Sequence, residues 1–294
     1  MSHSLPVHFF DIESNLPGID TALKTVSLSY ETPSNPMPLV PFKSWSSSTL
    51  KIRMVLNYKN IPYTQSYTSY PDICPLLQSL AVLPHTKGRL THTLPAISHP
   101  DSIKDNPTGT MMDSFPIALH LDKTFPSPPL FPSGDASHAL AIAVEKLVLC
   151  ASGKGLFILL PKAINILDAR GKDYFVSTRS RWFGKPLQDL EITDPQEVEK
   201  TKDALKAELE VFFRMLAGRE GKEGPFLEGK QAGYADFILV TFLSWSHRVD
   251  KKLWTEIMAM GSGEFQVLWD ACSAWMEGQG EDIEVPIPPD GSGV

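Results

Sequence analysis

The amino-acid sequence predicts an α/β domain followed by an all-helical domain. Three observations lead there. Up to residue 125, short runs rich in aromatic and β-branched residues alternate with helical periodicities. The stretch Pro126-Ser127-Pro128-Pro129-Leu130-Phe131-Pro132-Ser133-Gly134 then interrupts both patterns. Proline fixes φ and removes a donor, so this segment is a semi-rigid linker and the best domain boundary. Beyond it, only helical patterns recur.

In chain order, Val7 to Ile12 reads as a first strand, ended by Asn15-Leu16-Pro17-Gly18. Residues 19–43 hold Pro33, Pro36, Pro38 and Pro41 and are expected to be an irregular insertion. Helical spacing begins at about residue 47. Leu50, Met54 and Tyr58 stack on one face with Ile61, while Ile52 and Leu56 make a second apolar row. A helix so patterned is covered on both sides. Pro62 to Tyr67 is the second strand, and a strand, helix and strand so spaced make parallel neighbours. Asp72 to Leu77 starts a short helix with Asp72 as its cap. Thr91 to Ser98 is the third strand, with Pro95 inside it, and Thr110-Met111-Met112 pairs with it as a hairpin. Asp113-Ser114 opens a helix that ends at Phe125-Pro126. The order is β-α-β-α-β-β-α.

In the second half, helices are expected from Asp135 to about Leu149, from Leu156 to Leu167 with a break at Pro161, and from Asp194 to Gly218. Another runs from Tyr234 to Trp245, apolar all round and therefore buried, and a last one from Ser262 to Gly278. The domains are thus 1–125 and 135–280, joined by 126–134, with 281–294 a loose tail rich in Pro, Gly and acid.

A hydrophobic content of 42% with 21% charged residues describes an ordinary globular chain of 294 residues. A net charge of −7 argues against a nucleic-acid surface, which would be basic. The N-terminus lacks the basic and apolar regions of a signal peptide, and the most apolar run, Ala235 to Trp245, is too short to span a bilayer. Cys74, Cys150 and Cys272 are odd in number and far apart, which points to a reducing, cytoplasmic setting. The histidines have no ligand spacing, so no metal is expected, and Cys74, in an apolar segment, reads as a packing thiol.

Four local features carry chemistry. Ser46 begins the first helix, where a hydroxyl can cap free N–H groups, hold an anionic ligand atom at the helix's positive end, or both. Leu94-Pro95 lies in a strand; a cis bond there would turn the Leu94 backbone outward to a ligand. Asp113-Ser114 at a helix start suits an amino-acid head, with Asp113 taking the ammonium and Ser114 the carboxylate. Gly233-Tyr234-Ala235-Asp236 places Asp236 at a capping-box position.

The strings Trp45 to Arg53, Leu56 to Lys59, Tyr70 to Ile73, Thr93 to Ile97 and Asp113 to Asp122, in this order, resemble the glutathione S-transferase superfamily, in particular its fungal, etherase-like class. The resemblance continues more weakly through Trp182 to Leu187. It implies a thioredoxin-like N-terminal domain and an all-α C-terminal domain, with glutathione as co-substrate. Ser46 matches the serine that hydrogen-bonds the glutathione sulfur. Ser48 stands where the family has an asparagine that also supports the thiolate. Leu94 and Pro95 match the pair that meets the cysteinyl backbone, Asp113 and Ser114 the pair that grips the γ-glutamyl end, and Asp236 the acid of a folding motif. The insertion 19–43 departs from the family. The implied function is thiolate attack on a small hydrophobic electrophile, by conjugation or aryl-ether cleavage, in the tailoring of a fungal secondary metabolite or elsewhere. A non-catalytic ligand-binding relative is the alternative. The second substrate would lie against the helical half, with Phe157, Trp182 and Phe183 as candidates. The resemblance also implies a homodimer.

Overall fold

The computed structural model describes residues 6–16, 43–276 and 280–288; most of the expected insertion 19–43 lies outside them. Strand β1 (Val7–Ile12) is followed by helix α1 (Ser47–Tyr58), strand β2 (Tyr63–Thr68), helix α2 (Ile73–Ser79), strands β3 (Ala96–Ser98) and β4 (Thr110–Met112), and helix α3 (Ser114–Thr124). The sheet order is β4-β3-β1-β2-β5, where β5 is Glu281–Asp282. As the crossover requires, β1 and β2 are parallel, from Val7 opposite Tyr63 to Ile12 opposite Thr68. The β3–β4 hairpin is antiparallel to its neighbours.

Alternation along β1 divides the interior. Val7 and Phe9 join α1 in the larger core, while Phe10 and Ile12 join Leu76, Leu77 and Leu94 in a second core on the other face. Every residue of α1 from Thr49 to Asn57 is buried, because the helix packs on α3 and also on two helices of the C-terminal half, α8 (Tyr234–Val249) and α10 (Glu264–Met276). This encloses cations that must then be paired. Arg53 donates to Asp11 (2.9 Å), Gln65 (2.6 Å) and the hydroxyls of Tyr63 and Tyr67. The Lys59 ammonium meets Asp122 at 2.6 Å and the carbonyls of Phe125 and Pro128, tying α1 to the linker.

The helical half also contains α4 (Asp135–Lys154), α5 (Leu156–Leu159), α6 (Ala169–Phe183), α7 (Pro195–Ala217) and α9 (Lys251–Met258). By length and composition α4 is apolar enough to cross a membrane. It packs against α7 and α8, burying Ala141, Val144 and Ala151, and leaves Ile142 and Leu149 exposed.

Three expectations are corrected, and helix α6 is an addition to them. The third strand begins only at Ala96, so 91–95 stand outside the ladder. Asp72 does not cap α2; both its oxygens accept from Arg170 of α6, at 2.7 Å each. Helix α6 was not foreseen, although Asp168 caps it by accepting from the Gly171 N–H and Gly184 closes it in the left-handed region. The tail is not wholly loose: Glu281–Asp282 pairs in parallel with β2, and the Gln65 side-chain amide donates to Asp282. Gly280 makes that approach possible, since a Cβ there would fall 2.3 Å from the Tyr63 ring.

Candidate glutathione site

Where β1, α1 and β3 meet the helical half, a cleft of about 240 Å³ opens. Ser46, Ser48, Leu94, Pro95, Asp113 and Ser114 all line it. Ser46 is the N-cap of α1 by backbone position, and its carbonyl accepts from the Leu50 N–H at 2.9 Å. Its side chain makes no cap hydrogen bond. Of the two roles open to this hydroxyl, capping is therefore not taken, and the oxygen stays available at the positive end of a twelve-residue helix.

The Leu94–Pro95 bond is cis. Leu94 lies just before β3, and its N–H and C=O find no backbone partner among the described residues. Both groups remain free for an extended ligand. Asp113 has φ 82° and ψ 125°, a region that costs a non-glycine residue roughly 1–3 kcal/mol. It is held there by its N–H on the Pro95 carbonyl (3.1 Å) and by its own carbonyl, which accepts from Ile117 at the start of α3 (3.0 Å). The strain is the means by which the Asp113 carboxylate reaches solvent at the cleft while Ser114 behind it is buried. The fully buried Tyr234 hydroxyl approaches Ser114 without a hydrogen bond of good geometry, and burial pushes its phenol pKa up.

Other groups complete the wall. The Cys74 sulfur lies 3.5 Å from His92 Nδ1. His92 Nε2 sits 3.0 Å from the Val82 carbonyl and must donate to it, so in the neutral ring Nδ1 is the acceptor facing the thiol. From the helical half come Tyr174 and Arg179 of α6. Arg179 is only 6% exposed, and desolvation holds its pKa below the ordinary guanidinium range. Burial raises the Tyr70 phenol to about 12, with Arg179 pulling the other way.

The same arrangement of sequence occurs elsewhere. The glutathione S-transferase-like protein ustS of Aspergillus flavus is 58% identical over 285 residues, which cover 96% of this chain and 95% of that one. The chain belongs to the glutathione S-transferase superfamily. Residues 139–275 match the family described as the glutathione S-transferase C-terminal domain. Among solved structures, a glutathione S-transferase of Ceriporiopsis subvermispora, crystallised with glutathione, is 27% identical with a TM-score of 0.72, over 92% of this chain and 98% of that one. Glutathione transferase GSTFuA2 of Phanerochaete chrysosporium is 26% identical with the same TM-score, over 94% and 100%. The superfamily's two-part architecture is thus the architecture of this chain.

Of the aromatic residues expected at the second-substrate side, Phe157 and Phe183 instead pack edge-to-face on each other, 5.5 Å apart. Trp182 carries two cations over its ring, Arg179 at 4.3 Å and Arg89 at 5.6 Å. Tyr174, Arg179, Cys74 and His92 were not foreseen as cleft residues. The first two ride on α6, whose Asp168 cap and Gly184 stop were the available signals. Cys74 and His92 are joined only by the packing of α2 against the loop before β3, and nothing in their spacing announces it. Among the described residues, no group of three or more His, Cys, Asp or Glu side chains could hold a metal ion.

Proposed function

We propose that this chain activates the thiol of glutathione for attack on an electrophilic carbon, with Ser46 donating a hydrogen bond to the sulfur. The observation that carries the reading is the unspent Ser46 hydroxyl at a helix N-terminus, in one cleft with Leu94, Pro95, Asp113 and Ser114. A free thiol has a pKa of about 8.5, so little thiolate exists at neutral pH. A donor hydroxyl and the helix dipole both favour the anion, and each unit by which they lower its pKa corresponds to about 1.4 kcal/mol. Asp113 holds the ammonium of the γ-glutamyl head and Ser114 its carboxylate, while the free Leu94 backbone pairs with the cysteinyl unit. In the chemical step, the sulfur lone pair forms the S–C bond and the leaving group departs with its electron pair; a halide or an aryl oxide serves equally, so conjugation and aryl-ether cleavage share this step. Ser48 stands second in line to support the sulfur.

The protein works as a homodimer in this reading. Leu119 on α3 is exposed, and so are Ile142 and Leu149, seven residues apart on one face of α4. Light scattering that gives a monomer at micromolar concentration would remove this part.

Calorimetry with glutathione tests the site. Wild type is expected to bind in the micromolar-to-millimolar range and Asp113→Ala to lose detectable binding. Ser46→Ala is expected to keep most of the affinity and to lower kcat by about tenfold or more, the equivalent of one pKa unit of thiolate. Binding that survives Asp113→Ala would put glutathione elsewhere; unchanged kcat in Ser46→Ala would move the sulfur to Ser48.

A further inference from the structure

We propose that Arg179 selects the second substrate, and that this substrate carries a carboxylate on a flat, unsaturated frame. The inference deepens the glutathione-transferase reading and rests on it.

A buried guanidinium normally faces an acid, because an uncompensated charge in a low-dielectric interior is costly. Among the described residues Arg179 faces none: it enters no ion pair, its one side-chain hydrogen bond goes to the Thr178 hydroxyl at 2.9 Å, and its buried Nε has no partner. Arg53, buried more deeply still, shows the contrast: its guanidinium is paired with Asp11 at 2.9 Å. What surrounds Arg179 is aromatic. Its guanidinium carbon lies 4.1 Å from the centre of the Phe175 ring, 4.3 Å from that of Trp182 and 5.3 Å from that of Tyr70. These rings stabilise the cation and fix the plane of its fork, but they take up none of its hydrogen-bond donors.

The position of this charge is the second half of the argument. Arg179 lines the same cleft as Ser46, from the opposite, helical wall, beside the Tyr174 ring. The groups suited to the peptide of glutathione, Leu94, Asp113 and Ser114, all belong to the α/β wall. An electrophile placed between the Ser46-bound sulfur and the helical wall therefore meets a fixed, dry, unpaired guanidinium framed by aromatic faces. A carboxylate is the group that its planar fork fits bidentately, and a conjugated or aromatic frame is what the rings stack on. The chain as a whole carries a net charge of −7, so this cation does not draw anions as part of a general basic field.

Glutathione itself offers a carboxylate at its glycine end, and the test must separate the two sources. The probes are S-benzylglutathione, S-(4-carboxybenzyl)glutathione, and the glycine ethyl esters of both, with binding measured by calorimetry on wild type, R179Q and R179K. Wild type is expected to bind the 4-carboxybenzyl conjugate about tenfold or more tighter than the benzyl conjugate, as a charge-assisted bidentate pair in a dry site would give. R179Q is expected to bring the two conjugates within about twofold. R179K keeps the charge but not the fork and retains part of the preference; it carries the comparison if R179Q fails to fold. Turnover of 4-(chloromethyl)benzoate against its methyl ester should follow the same order. Equal binding of the two conjugates by wild type overturns the proposal. So does a preference that persists in R179Q, or an R179Q loss that disappears with the glycine ethyl esters, which would assign the guanidinium to glutathione's own carboxylate. Binding of neither conjugate, with no binding of glutathione, overturns the glutathione reading and this one with it. Binding of glutathione without the carboxybenzyl preference overturns this one alone.

Discussion

Asp236 is fully buried at the start of α8, where one carboxylate oxygen accepts from the Gly233 N–H and the other from the Leu227 N–H, both at 2.8 Å. Burial raises its pKa from 3.8 to about 7, and the two backbone donors offset only part of that. The folded chain thus holds this proton more tightly than the unfolded chain does. The stabilisation is complete below about pH 4 and is lost as the pH rises through about 7. A gap of about three units corresponds to roughly 4 kcal/mol. Asp236→Asn removes the titration and leaves one of the two N–H groups facing an amide NH2, which costs about 1–3 kcal/mol. At pH 4 the variant is therefore expected to be less stable than wild type by that amount. At pH 8, where wild type has lost about 4 kcal/mol, the deficit should vanish or reverse. Urea unfolding of both proteins across this range gives the difference directly, and other titrating groups cancel in the subtraction. A difference that stays constant from pH 4 to pH 8 would refute the claim that burial outweighs the two amide donors.

Three further perturbations probe the frame around the site. Arg53→Met leaves Asp11 charged and buried, and should cost about 3–5 kcal/mol in urea unfolding, with much of it regained in the Asp11→Asn double variant; additive losses would argue against the pair. Iodoacetamide should modify Cys74, which lines the cleft, and glutathione should slow that reaction, while Cys272, buried and with its thiol pushed well above the usual range by desolvation, stays unmodified in the native protein; mass mapping that finds no protection of Cys74 would mean the cleft is not where glutathione sits. Truncation before Gly280 removes β5, exposes the edge of β2, and should raise the tendency to aggregate more than it lowers the melting temperature; an unchanged light-scattering profile would show that the edge needs no cover.

The sequence by itself determined the order of elements in the α/β half, because period-2 and period-3.6 patterns there are separated by proline and glycine punctuation. It also picked out residues of the α/β half that line the cleft. Ser46, Leu94-Pro95 and Asp113-Ser114 each sit at the end of an element, where unpaired backbone groups are a local property and can be read from a few neighbouring residues. Whether the Ser46 hydroxyl is spent on its own helix was not local. Nor was the burial of Arg53 and Lys59, since what encloses them comes from other elements: Asp11, Tyr63, Gln65 and Tyr67 of β1 and β2 around Arg53, and Asp122 of α3 with the linker carbonyls around Lys59. Asp72 reads as a cap because its partner, Arg170, belongs to a helix whose charged residues mask its apolar periodicity. Arg179 carries the same lesson. On the page it is one of three arginines in α6; only the packing of Tyr70, Phe175 and Trp182 around it, with no acid among them, makes it different from the other two.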